Sequence, residues 1–123
     1  MPRDFRVRID DILESIAKIK DYTRGMSADD FKWDRKTQDA VIRNFQIIGE
    51  AANHIPREVK DNCKDNVEWA KIVGFRNIAV HEYFGITVDI VWDIIQNKLA
   101  ILEGNCKYLL EKYGNEPFLD NNK

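Results

Sequence analysis

The chain is predicted to be all-α, an up-and-down helical bundle of three long helices with shorter, broken ones. Three observations predict it. Apolar residues recur at steps of three and four nearly throughout the 123 residues. Only three prolines and six glycines punctuate that spacing. No segment shows the sustained alternation of a half-buried strand. The length fits one domain with a single core, expected to span residues 1–114, with a polar tail over 115–123.

Phe5, Ile9, Ile12, Ile16 and Ile19 form one apolar stripe, which predicts a first amphipathic helix from Asp4 to Tyr22, ended by Gly25. Ser27 lies three residues before Asp30 and can cap a short turn through Phe31 to Trp33. A second helix runs from Arg35 to His54, with Val41, Ile42, Phe45, Ile48, Ala52 and Ile55 along one face. Pro56 stops it, because the residue before a proline is pushed out of the helical region. Residues 56–66 read as a polar connection with one helical turn. Asn66 is expected to cap a third helical segment through Trp69 and Ile72, Gly74 to mark a bend, and the motif segment to continue from Phe75 to about Glu82. Thr87 is expected to cap a long last helix, with Asp89 in its favourable first turn. Its buried stripe is Val88, Val91, Trp92, Ile95, Leu99, Leu102, Leu109 and Tyr113, and Gly114 suits its C-terminal cap.

Composition narrows the function. With 44% hydrophobic and 33% charged residues the chain reads as soluble and globular. No apolar run approaches the ~20 residues that cross a bilayer, and the charged start Met1-Pro2-Arg3-Asp4-Phe5-Arg6 is no signal peptide. Cys63 and Cys106 form neither a disulfide framework nor a metal spacing, so a cytoplasmic protein with reduced thiols is expected. A net charge of −2 and a pI near 5.7 argue against a general nucleic-acid coat protein. Any phosphate must be bound by a local cluster of cations. No Gly-rich phosphate loop, paired acidic metal site, Ser/His/Asp arrangement or zinc pattern is present, and neither metal nor cofactor is expected.

The run Arg76-Asn77-Ile78-Ala79-Val80-His81-Glu82-Tyr83 gathers a permanent cation, an amide, an imidazole and a phenol. A guanidinium holds phosphate in a fork of N–H donors, and an imidazole moves protons near neutral pH. Metal-free cleavage of an RNA backbone needs those two chemistries. In one regular helix Asn77 and His81 would share a face, while Arg76 would sit about 140° from His81. Convergence of Arg76 and His81 therefore requires a kink near the motif or a second copy of the chain. Glu50, between Ile47-Ile48-Gly49 and Ala51-Ala52, is expected in buried surroundings and paired with Arg76 or another arginine. Gly49 and the two alanines fit close helix approach at a subunit contact. His54 has no evident partner and reads as helix-end decoration. Trp33, Trp69 and Trp92 read first as core or helix-end packing, with base stacking second.

These residues also carry a resemblance. The Arg-x4-His-x-Tyr pattern, Gln38-Asp39-Ala40-Val41-Ile42-Arg43, Ile48-Gly49-Glu50-Ala51-Ala52, the approach Trp69 to Asn77 and the exit His81-Glu82-Tyr83-Phe84-Gly85 together resemble HepT-like toxins of the HEPN superfamily. The likeness covers roughly residues 4 to 113. It implies a dimeric, metal-independent endoribonuclease of a toxin–antitoxin pair, with Arg76, His81 and Asn77 catalytic in a cleft shared by two subunits and Glu50 in support. It also implies an MntA-like nucleotidyltransferase antitoxin that attaches AMP to Tyr83. A different class stays open: a non-catalytic substrate- or nucleotide-binding subunit of a two-component nucleotidyltransferase.

Overall fold

A computed structural model describes residues 4–78 and 86–114. They form seven α-helices and no strand: α1 (Phe5–Thr23), α2 (Ala28–Lys32), α3 (Arg35–Asn53), α4 (Arg57–Lys60), α5 (Trp69–Gly74), α6 (Ile86–Asn97) and α7 (Leu99–Tyr113). A 3₁₀ turn, Phe75–Asn77, follows α5 directly. The all-α bundle is as expected, and among the described residues no helix is long and apolar enough to cross a membrane.

Each start has a local cause. Asp4 caps α1 by accepting the Arg6 N–H at 2.9 Å. Gly25, at φ +77°, turns the chain out of α1 through the left-handed region. Ser27 and Asp30 form a reciprocal capping box on α2, 3.1 and 3.0 Å. Asp34 caps α3 through the N–H and hydroxyl of Thr37, 2.9 and 2.8 Å.

The expected stripes become one core. Ile9, Ile12, Ile16 and Ile19 of α1 are fully buried, as are Val41, Ile42, Phe45 and Ile48 of α3. Each such side chain contributes roughly 1.5–3 kcal/mol. α7 lies antiparallel to α1: Tyr113 meets Phe5 edge-on at 5.3 Å, while Glu103 pairs with Lys20 at 2.6 Å further along. Burial pushes the Cys106 thiol up to about 12 and raises that of Cys63, so neither is a ready nucleophile.

Several expectations are corrected. Glu68, not Asn66, precedes α5, and it makes no side-chain cap bond. The connection before it is held by buried Asn105 of α7, whose amide oxygen accepts the Asp65 N–H at 3.0 Å and whose nitrogen donates to the Asp65 carboxylate at 3.1 Å. Position 87 already lies inside α6, so Thr87 is not its cap. The single long last helix is divided at Lys98 (φ −115°). Hydrogen bonds still cross that point, Lys98 N–H to Ile94 and Leu102 N–H to Lys98, 2.9 and 3.2 Å. The division is a distortion without glycine or proline, and so without a sequence signature. Gly114 is the C-cap of α7 as expected, in right-handed conformation at φ −63°. Trp33 is 74% exposed at the end of α2, where core or helix-end packing was expected. Gly49, Ala51 and Ala52 are buried within the chain and are not free for a subunit contact.

Candidate active site

The arm formed by α5 and the 3₁₀ turn lies against the second half of α3, and Gly49 sets how closely. A Cβ built at position 49 would collide with the backbone nitrogen of Arg76 and come within 3.0 Å of the Ile72 and Val73 carbonyl oxygens. Only glycine lets the two backbones meet there. One α3 turn earlier, Phe45 stacks on Phe75 with ring centroids 4.9 Å apart. The Gln46 amide donates to the Ile78 carbonyl at 2.5 Å. Arg76 is thus fixed from three sides through its backbone and its neighbours, and its side chain is left 39% exposed.

The guanidinium meets α3 through Glu50. Arg76 Nη1 lies 3.9 Å from Glu50 Oε1, within ion-pair range but too long for a hydrogen bond. The other Glu50 oxygen is 3.1 Å from His54 Nε2. Glu50 is 55% exposed, so the expectation of buried surroundings is corrected: its helix neighbours are buried, while its own carboxylate projects into solvent. The expected pairing with Arg76 is present. His54, expected to lack a partner, has one, and the i, i+4 step from Glu50 was the signal that could have found it. An exposed pair of this kind contributes little to stability. Its chemical effect is to orient a cation whose fork of donors remains open to a phosphate.

Asn77 is exposed and ends the 3₁₀ turn; Ile78 is extended at φ −69°, ψ 120°. The helical part of this segment thus ends at Asn77 among the described residues. The chain bends inside the motif, one of the two routes by which Arg76 and His81 could converge. His81 and Tyr83 lie outside the described residues. Among the described residues no group of three His, Cys, Asp or Glu is placed to hold a metal ion.

On another side of the arm a groove of about 310 Å³ runs between α5, α6 and α7, lined by Val67, Ile72, Phe75, Ile90, Ile94 and Ile101 among others. Phe75 therefore stands between two environments, stacked on α3 and bordering this groove.

Comparison with known proteins places the chain in a family. The family described as ribonuclease HepT-like matches residues 12–109. A protein of Methanocaldococcus jannaschii named as a candidate RNase is 42% identical, over 80% of this chain and 82% of its own. A Thermococcus cleftensis protein named as a probable ribonuclease HepT is 35% identical, over 89% and 98%. The mRNA nuclease HepT of Shewanella oneidensis is 35% identical, over 59% and 72%. No solved structure matches the chain at a significant level.

Proposed function

We propose that this chain, which belongs to the HepT-like ribonuclease family, is a metal-independent endoribonuclease and the toxin of a toxin–antitoxin pair. The observation that carries the reading is the presentation of Arg76: backbone locked by Gly49 and Gln46, guanidinium exposed, its carboxylate neighbour at 3.9 Å. That fork would bind the scissile phosphate and offset the charge that develops on its oxygens. The ribose 2′-oxygen attacks phosphorus as His81, acting as general base, removes its proton. The bond to the 5′-oxygen breaks, and that oxygen takes a proton from a general acid. The products are a 2′,3′-cyclic phosphate and a 5′-hydroxyl end. Two subunits sharing a cleft would let two copies of His81 divide the proton transfers. Asn77, exposed beside Arg76, would orient the phosphate.

Regulation would act on Tyr83. A partner nucleotidyltransferase would join the phenol oxygen to the α-phosphorus of ATP, releasing pyrophosphate. The added phosphodiester would place negative charge near Arg76 and adenosine bulk in the cleft that RNA would enter.

Incubation of purified protein with total RNA in EDTA tests the reading. Cleavage is expected, and Arg76→Ala or His81→Ala should reduce it by at least about 100-fold with helical content retained. Cleavage that survives both changes removes the site assignment. Absence of any cleavage by the wild-type protein favours the non-catalytic subunit of a nucleotidyltransferase.

A further inference from the structure

The turn between α2 and α3 presents an indole to solvent on a rigid support. Trp33 is 74% exposed, the most exposed large hydrophobic residue among those described. Everything beneath it is held. Phe31, one side of the turn, is buried and packs on Trp92 with ring centroids 5.2 Å apart. Buried Gln38 donates its amide to both the Phe31 and Lys32 carbonyls, 2.8 and 2.9 Å. The capping box on α2 and the Asp34 cap on α3 close the two sides. A floppy loop tip would show none of these bonds.

Cations cluster close to the indole. Lys32, Arg35 and Lys36 lie within three residues of Trp33. The carboxylates in the same span, Asp30 and Asp34, are engaged in capping Ser27 and Thr37. Lys32 Nζ stands 5.5 Å from the indole centroid. Lys36, Arg43 and Glu50 then follow at intervals of seven along α3, all exposed. Seven residues return a helix to within about 20° of the same face. One stripe of α3 therefore leads from this turn to the carboxylate beside Arg76, a length of roughly 21 Å from Lys36 to Glu50.

We propose that Trp33 is a stacking platform for an unpaired nucleobase of single-stranded RNA, with Lys32, Lys36 and Arg43 holding the backbone that runs on toward Arg76. Aromatic faces flanked by cations are how unstacked strands are gripped without reading sequence. A protein partner is the weaker reading, because the cores of protein interfaces are depleted of lysine. The inference rests on the ribonuclease reading for the identity of the strand but is measured separately from cleavage.

The test uses a fluorescein-labelled single-stranded deoxyadenosine oligonucleotide, which lacks the 2′-hydroxyl and cannot be cut. Its affinity is read by polarisation on the whole protein. Trp33→Ala is expected to weaken binding roughly five- to hundred-fold, and Trp33→Tyr to restore most of it. Lys36→Gln or Arg43→Gln should weaken binding less and flatten its salt dependence. Circular dichroism establishes that each variant is folded. Binding by Trp33→Ala within two-fold of wild type overturns the proposal, as does a loss of self-association or partner binding with oligonucleotide affinity unchanged. Trp33-dependent binding by a protein that cuts no RNA would sustain the platform and reject the ribonuclease reading.

Discussion

α3 is packed on two sides by different means. Toward α1 it offers buried apolar side chains such as Val41, Ile42 and Ile48 to a row of isoleucines, and the contact is built of side-chain volume. Toward the arm that carries Arg76, Phe45 stacks on Phe75, but the closest approach is set by a missing side chain, Gly49 against the backbone of Ile72, Val73 and Arg76. The first kind of contact sets how stable the bundle is. The second sets where one guanidinium stands. Stability and placement are thereby separated onto two faces of one helix, and substitutions on the two faces should fail differently.

The largest effect on stability belongs to the α1 face. Ile16→Ala removes a fully buried side chain and should cost roughly 2–5 kcal/mol. The molecules that remain folded should cut RNA at the wild-type rate. Urea titration paired with initial rates at low temperature checks both halves. A matching fall in the rate of the folded fraction would mean the two faces are not independent.

Gly49→Ala should show the opposite balance. The new methyl meets backbone atoms that no rotamer change can move, so the arm must shift. Overpacking of this kind costs about 1–3 kcal/mol, whereas displacement of a reacting group by ~1 Å can cost on the order of 100-fold in rate. Normal turnover by the Gly49→Ala variant would show that the close approach does not position Arg76.

The smallest effect is expected at the charges. Glu50→Gln breaks an exposed pairing with both His54 and Arg76, and its denaturation midpoint should correspond to a change of no more than about 0.5 kcal/mol. A loss several times larger would assign the carboxylate a structural share in holding the arm.

The α1 face was legible in the sequence because its cause is periodic. Every isoleucine of the α1 stripe and every α3 residue assigned to the core is buried. The Ser27–Asp30 cap was legible for a similar reason, since donor and acceptor lie three residues apart. The arm was less so. Gly49 was read as a close-packing residue, but nothing local says whether its neighbour is a second subunit or the same chain 27 residues on, at Arg76. Glu50 was placed in buried surroundings because its neighbours in sequence are apolar, yet adjacent helical residues point about 100° apart. Gln46 bonds the Ile78 carbonyl across 32 positions, a pairing no short-range pattern encodes. Trp33 was read as packing because it sits at helical spacing with other apolar residues, yet it is 74% exposed where the chain turns from α2 into α3.

The seam at Gly49 has an entropic consequence. Burying a long side chain removes rotamers and costs up to about 2 kcal/mol at 25 °C, whereas glycine has none to lose. The backbone freedom of Gly49 is surrendered when α3 forms, and α3 is held by its contact with α1. Docking the arm at this point therefore freezes no additional side-chain torsion on the α3 side. A surface without rotamers also has no alternative packing to settle into. Displacing the arm here exchanges contact for separation, without a graded series of repacked states between them.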